Sequence, residues 1–400
     1  MRAVVLGGGG LTGRCAVRDL ATSGVFDEVV VADLDRGLAE RAVERAAGGT
    51  PLIAAKLDVR DRDGLVRLLR GARVCVNAVQ YRFNVDVMAA ALAAGVDCLD
   101  FGGLFHMTRR QLEWDDRFRD AGLVAIPGLG QVPGVSNVLA ADAVADLDRV
   151  DSIVIRDGWK DFTQGGPPVV FTWSPSTFLD EMLMPAVVWA GGRYEESPPM
   201  SHPEEFDFPE PIGRTVLYRT LHSEPGTLPT TFAAKGLAHC EWREGGSGIE
   251  ALRLLAAIGL GQEEAIDVDG QRVVPRAVLL ALLRSRGLLG YPDGVRVDDM
   301  EVTDIEVRGH RGSAAVTRHA VAVFRSRPDW GFAATEYGVG TAGSVGAIMI
   351  AQGLVKARGV VPPETAIPAA PFRKLLADRG VETRISPPDP PFGDVRRMSD

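Results

Sequence analysis

Apolar residues in the first 135 positions fall into short unbroken runs, each followed by an amphipathic stretch of helical period. The runs at 2–6, 28–32, 52–57, 72–78, 96–100 and 123–127 read as strands. Helices are expected between them, from Leu11 to Leu20, then at 37–47, at 61–69 with Asp61 as cap, at 85–94 and at 109–121. Strands that are apolar throughout, rather than alternating, belong to a parallel sheet covered on both faces. The pattern therefore predicts an α/β, doubly wound domain over residues 1–135.

After Asn137 the pattern changes. A helix at 138–145 leads to a strand at 150–156, and a helix is expected at 174–189. The polar, acidic stretch 194–211 reads as a surface loop. An apolar helix at 275–289 precedes two alternating stretches, 301–308 and 314–325, that read as an antiparallel pair joined near 309–312. Residues 136–338 are thus expected to form an α+β domain with a largely antiparallel sheet. One face of that sheet needs a cover, and a second copy of the chain is the simplest, so a homodimer is expected. A small-residue helix at 342–356 is expected after a turn at 338–340, then a helix at 371–378. Residues 339–385 would be C-terminal helices, and 386–400 a flexible tail.

The first strand runs into Gly7-Gly8-Gly9-Gly10-Leu11-Thr12-Gly13, with glycines at G-x-G-x-x-G spacing (Gly8, Gly10, Gly13). In a strand–turn–helix setting, Gly8 would allow the turn and Gly10 would admit a pyrophosphate. Gly13 would let the helix pack close, its free amides and dipole facing the anion. The second strand ends at Asp33, near the offset of about 20 residues at which an acid binds the adenosine ribose. A Rossmann dinucleotide site follows from that context. A carboxylate there repels a 2′-phosphate, which favours NAD over NADP, although Arg36 nearby offers a phosphate partner. Along the strand C-termini the cofactor candidates are Gly8, Gly10, Leu11, Thr12, Gly13, Asp33, Leu34, Asp58, Val59, Asn77, Ala78, Val79, Asp100, Gly102 and Gly103. For Asp58 and Asp100 the competing account is a strand-end loop cap.

Composition narrows the chemistry. Four hundred residues at 46% apolar suit two domains, and a net charge of −9 argues against nucleic acid or an anionic membrane as partner. No leader-like or membrane-spanning run is visible, so a cytoplasmic location is expected. Cys15, Cys75, Cys98 and Cys240 stand apart and read as reduced core residues. Zinc-ligand spacing is missing, so no metal site is expected. None of the five tyrosines has a lysine four residues on, which removes the short-chain dehydrogenase mechanism. No cysteine sits in an electropositive setting suited to a nucleophile. Direct hydride transfer at a carbon bearing nitrogen or oxygen remains.

The chain resembles the saccharopine dehydrogenase-like family, whose members include lysine 6-dehydrogenase, saccharopine reductase and carboxynorspermidine dehydrogenase. The resemblance spans about residues 1–385. Its parts are the glycine segment, Asp33, Asn77-Ala78, Leu99-Asp100-Phe101-Gly102-Gly103 and the phrase from Pro127 to Asn137. It continues through Pro209-Glu210-Pro211-Ile212-Gly213, His222-Ser223-Glu224, Thr227-Leu228-Pro229, Gly359-Val360-Val361-Pro362-Pro363-Glu364 and Pro371-Phe372. It implies NAD(P)-linked oxidation of a carbon–nitrogen bond, or imine reduction, on an amino acid or polyamine-like substrate. It also implies C-terminal helices that return to the nucleotide domain. The segments 165–170 and 195–207 depart from the family pattern, which leaves the substrate open.

Hydride removal from an amine carbon needs the neutral amine, hence a base. His222 and Glu224, two apart on an expected strand, are the first candidates for base and electrostatic partner, against a solvated strand-end pair. Tyr81 is a candidate for orienting the reacting nitrogen. Trp173, Lys160, Asp157 and His106 are candidates for the substrate cleft. Two other readings remain: a C=C or C=O reductase, and an NAD-binding sensor or scaffold without turnover.

Overall fold

The computed structural model describes residues 1–386 except 47, 168 and 293. From residue 387 onward the expected tail lies outside the described residues. Strands β1 (Arg2–Leu6), β2 (Glu28–Asp33), β3 (Leu52–Lys56), β4 (Val74–Asn77), β5 (Asp97–Asp100) and β6 (Val124–Ile126) are all parallel. Between them run α1 (Leu11–Thr22), α2 (Arg36–Arg45), α3 (Arg62–Leu69), α4 (Asn84–Ala94), α5 (Leu104–Leu112) and α6 (Asp115–Asp120). The sheet order is β6-β5-β4-β1-β2-β3, and a C-terminal strand, Gly359–Val360, adds beside β6. The order in which strands are added reverses between β1 and β4, which opens a crevice at the strand C-termini. The single helix expected at 109–121 is two helices: α5 starts directly after Gly103, and the chain breaks before α6.

The second domain comprises α7 (Val135–Val144), β7 (Arg149–Asp161), α8 (Pro175–Leu183), β8 (Ala186–Ala190), β9 (Arg193–Ser197), β10 (Ser201–Asp207), β11 (Arg214–Arg219), α9 (Leu228–Thr231), β12 (His239–Gly246), α10 (Ile249–Ala257), β13 (Ile266–Val268), β14 (Gln271–Val273), α11 (Pro275–Ser285), β15 (Asp299–Arg311) and β16 (Ala314–Arg325). The chain closes with α12 (Ala334–Ala351), β17 (the Gly359–Val360 strand), α13 (Pro363–Ala366), α14 (Ala369–Ala377) and β18 (Glu382–Ile385). The second sheet runs β10-β11-β12-β7-β15-β16-β18, with β8 on β12 carrying β9. Its neighbours are antiparallel apart from β12 and β7. No helix among the described residues is long and apolar enough to cross a membrane.

Three expectations need correction here. The helix at 174–189 stops at Leu183, because Met184 precedes Pro185 and takes an extended conformation into β8. The stretch 194–211 is not a loop but supplies β9 and β10, peripheral strands whose charged side chains are exposed apart from Glu204, which packs against Arg156 and Arg243. The turn at 338–340 is helix interior. A Cβ at Gly340 would lie 2.7 Å from the Thr12 carbonyl oxygen and 2.6 Å from the Cys15 Cβ, and one at Gly343 would enter the Phe101 ring. These glycines bring the buried helix α12 onto α1 and the sheet; they do not bend the chain. Arg14 pairs with the buried Glu336 at 3.1 Å, and Ser344 donates to Asp19 across the same contact. The C-terminal region thus packs on the nucleotide domain.

Asp100 ends β5 with its carboxylate turned inward. It accepts from the amides of Gly102 (2.9 Å) and Gly128 (3.0 Å) and from Gln111 Nε2 (2.6 Å). Its side chain therefore ties two loops of the crevice edge together and is not offered to a cofactor, which corrects that assignment. Burial pushes this carboxyl up to about 6. A pKa raised on folding contributes stability that is full below the unfolded value of about 4 and is lost as pH rises through about 6. Urea unfolding at pH 5 and pH 7 is therefore expected to show a larger stability loss for the native chain than for Asp100→Asn; equal losses would contradict this. Gly343→Val is expected to cost about 1–3 kcal/mol through overpacking against Phe101, and an unchanged urea midpoint would refute the close-contact account of α12.

Candidate functional site

A cavity of about 560 Å³ lies between the crevice edge of the parallel sheet and the second sheet. Its nucleotide-domain wall is the glycine loop and the ends of β4 and β5, including Gly10, Leu11, Thr12, Ala78, Val79, Gly102 and Gly103. The turn residue is Gly7, at φ +70°, not Gly8. Gly8 instead lies against Val31, where a Cβ would come within 2.7 Å of the Val31 Cγ1. Gly13 has the close-packing role expected of it, since a Cβ there would strike the Gly7 carbonyl. The amides of Leu11, Thr12 and Gly13 meet no acceptor among the described residues. Free amides at the start of a 12-residue helix, in a cradle that side chains would fill, fit a pyrophosphate.

Asp33 stands at the end of β2, where its carboxylate accepts from the Gly9 and Asp35 amides, each at 3.1 Å. Leu34, Asp58 and Val59 stand on the same edge outside the cavity. Leu34 is exposed, and Asp58 is gripped by Arg60, which lowers its carboxyl to about 2. Asn77 is buried, donating to Asn84 and accepting from the Val79 amide. It shapes the edge from behind.

Across the cavity sits His222, which is 4% exposed. It is not on a strand: β11 ends at Arg219, and His222 and Glu224 lie in the irregular turn that follows. The two side chains nevertheless meet. His222 Nδ1 bonds to the wholly buried Glu224, whose other oxygen accepts from Ser136 Oγ at 2.7 Å. With a carboxylate at Nδ1, the proton of the neutral imidazole stays there and Nε2 is left as a base facing the cavity. The ring stacks on Trp242 at 3.8 Å and 9°. Next to Ser136, Asn137 donates to Thr227 and to Glu364 at 2.9 Å, and Thr231 donates to the other Glu364 oxygen. Three sequence-distant segments, around 136–137, 222–231 and 364, thus meet behind one imidazole.

The other candidates divide. Trp173 lines the cavity beside Phe178, their rings 5.4 Å apart. Tyr81 also lines it, but its hydroxyl donates to Asp180 at 2.9 Å, and burial with that carboxylate pushes it up to about 12. Lys160 borders the cavity from inside β7, which runs five residues past its expected end, while its ammonium donates to the Pro211 and Ile212 carbonyls. His106 is exposed on α5, edge-on to Phe105 and outside the cavity, which corrects its assignment to the cleft.

Apart from Asp157, which lines the cavity as expected of a cleft candidate, sequence reading missed the carboxylates of the second sheet. One sheet face presents Trp242 and Glu244 from β12, Asp157 and Trp159 from β7, and Asp299 and Glu301 from β15. Glu181 on α8 joins them, its Oε1 3.7 Å from His222 Nε2. Burial pushes Asp157, Glu181, Glu244 and Glu301 above the usual carboxylate range, and Asp299 up to about 8. Of these acids only Asp299 and Glu301 stand two apart in the sequence. Which face they share became readable only once the strand register was known. Among the described residues, no group of His, Cys, Asp and Glu is arranged to hold a metal ion.

Two family models match the chain: the saccharopine dehydrogenase NADP binding domain over residues 3–126, and the saccharopine dehydrogenase C-terminal domain over residues 130–381. Carboxyaminopropylagmatine dehydrogenase of Synechocystis is 26% identical, covering 95% of this chain and 96% of its own. Carboxynorspermidine synthase of Vibrio cholerae is 27% identical, covering 71% and 72%. Apo saccharopine dehydrogenase (L-Glu forming) from Saccharomyces cerevisiae has a TM-score of 0.73 at 17% identity, covering 96% of this chain and 99% of its own. Homospermidine synthase from Legionella pneumophila, solved with NAD, has a TM-score of 0.60 at 11% identity, covering 100% and 95%. This chain belongs to the saccharopine dehydrogenase family of NAD(P)-linked oxidoreductases that act on carbon–nitrogen bonds.

Proposed function

We propose that the chain moves hydride between NAD and the nitrogen-bearing carbon of an amino acid or polyamine-like substrate, with His222 as acid–base. The single observation that carries this reading is the His222–Glu224 pair beside the cavity that the glycine loop borders, with Nε2 making no hydrogen bond among the described residues and lying 3.7 Å from Glu181. In this arrangement the Leu11, Thr12 and Gly13 amides hold the pyrophosphate, and Asp33 takes the adenosine ribose hydroxyls. Ala78, Val79, Gly102 and Gly103 would border the nicotinamide end. When bound, the dinucleotide accepts hydride in amine oxidation and returns it in imine reduction.

His222 Nε2 takes the ammonium proton to free the lone pair, and in the reverse direction it returns that proton to the nitrogen. Glu224 stabilises the imidazolium so formed, and Ser136 holds Glu224 in register. Tyr81 contributes wall surface, since its proton is committed to Asp180. Trp173 supplies an apolar wall, and Lys160 borders the pocket through its stem. Two relatives are named for carboxyaminopropylagmatine and carboxynorspermidine, which supports a carboxylated polyamine among the substrates to be tried.

NAD is preferred because Asp33 occupies the ribose position and Arg36 is paired with Glu40 at 2.8 Å. Calorimetric titration is expected to show NAD binding about tenfold or more tightly than NADP, with the preference shrinking in Asp33→Asn. Tighter NADP binding would overturn the cofactor choice. His222→Gln is expected to lower kcat about 100-fold or more while cofactor affinity holds, measured by reduced-nicotinamide absorbance over a panel of lysine, saccharopine-like adducts and carboxylated polyamines. Unaltered turnover in that variant would remove His222 from the chemistry.

A further inference from the structure

Exposed apolar side chains are unevenly spread over the surface. Twelve large ones are exposed among the described residues, and six of them fall between positions 254 and 282. They are Leu254 and Ile258 on α10, Ile266 and Val268 on β13, and Val278 and Leu282 on α11. Each pair follows the period of its own element, four apart on the helices and two apart on the strand, so each element turns one apolar side outward. The inner sides of both helices are already packed. Leu252, Leu279 and Leu283 are buried in the cluster that holds Trp173 and Phe178 at the cavity wall.

Other surface helices are built differently. Exposed positions on α2 carry Arg36, Glu40, Arg41 and Glu44, whereas those on α11 from 277 to 282 are Ala277, Val278, Ala281 and Leu282. Strands β13 and β14 form a two-stranded sheet that no other described strand joins, an arrangement marginal in water unless something packs on it. The exposed parts of the six large side chains come to roughly 500 Å² of apolar surface, which matches the apolar share of a two-fold interface burying ~800 Å² a side.

Charge decides what covers this face. Arg276, in the first turn of α11, donates its amide to the Gln262 carbonyl and its guanidinium to Glu263 at 3.0 Å, so the Glu263-Glu264 segment sits at that end of the helix. The other end carries Arg284 and Arg286. Glu264, Arg284 and Arg286 are exposed and have no ion pair among the described residues. The outer side of α11 is therefore acidic at its start, apolar along its length and basic at its end. A second copy laid antiparallel on α11 by a two-fold axis brings the basic end of each helix to the acidic end of the other, with the apolar sides between them. A lipid surface fits less well, because carboxylates border the face and the chain carries a net charge of −9.

We propose that the outer face of α11, flanked by α10 and the β13–β14 hairpin, is the contact through which two copies of this chain form a two-fold dimer. The expected homodimer thereby forms through helices and not by covering a face of the second sheet. This contact is independent of the chemistry assigned to His222.

The test is sedimentation velocity of the full chain at micromolar concentration. The native chain is expected to sediment with a mass near twice 42.7 kDa. Leu282→Glu, which puts a charge at the centre of the face, is expected to raise the dimer dissociation constant about 100-fold or more. Arg284→Glu is expected to raise it about tenfold, and Arg284→Glu combined with Glu264→Arg to bring it back to within about threefold of the native value. All three substituted positions are exposed, and circular dichroism with NAD affinity confirms that each variant is folded. A native chain that sediments as a monomer, a dimer unchanged by Leu282→Glu, or a charge swap that restores nothing overturns the proposal. So does a monomer that floats with phosphatidylcholine vesicles, which would give the face to a lipid surface.

Discussion

Glu224 is fully buried, and each of its carboxylate oxygens has a side-chain partner. One oxygen takes the Ser136 hydroxyl from α7, and the other takes His222 Nδ1. A buried carboxylate is costly unless its oxygens are hydrogen-bonded. Its partners come from the junction between the two domains, so satisfying this charge fixes how the turn after β11 sits against α7. Asn137, next to Ser136, extends the constraint through Glu364 to the C-terminal region. The imidazole orientation, the domain junction and the return of the chain to the first domain are consequences of one buried charge.

The cavity wall shows the opposite economy. Carboxylates on the outer face of the second sheet are neutralised by arginines, while those facing the cavity are left to hydroxyls and to protonation. Burial of so many acids without cations works against folding stability. Natural chains accept such local costs at functional sites, where ligand or chemistry supplies what the fold withholds. The glycine loop is the counterpart for anions: amides without acceptors face the same cavity from the other side. One pocket thus has amides without acceptors on its rim and buried carboxylates on its floor.

Much of this was readable from residue order alone. Parallel strands were legible because continuous Val, Ile and Ala runs allow little else, and His222 with Glu224 because their residue types stand two apart. The helix around Gly338 and Gly340 was misread because glycine in isolation signals a turn. Only the proximity of Thr12 and Cys15 shows that the missing side chains make room for α1. Asp100 looked like a cofactor ligand from its place at a strand end, yet its orientation is set by Gly102, Gly128 and Gln111. Glu181 gave no local signal at all. Its Oε1 stands 3.7 Å from His222 Nε2, a property of the folded surroundings rather than of the sequence.

A crystal structure with NADH and a diamine would test the central claim most directly. The account predicts pyrophosphate density over the Leu11, Thr12 and Gly13 amides, a nicotinamide ring flanked by Gly102, and one amine nitrogen within hydrogen-bond distance of His222 Nε2. Density for the dinucleotide away from the glycine loop, or a nicotinamide that His222 cannot reach across the bound amine, would contradict it.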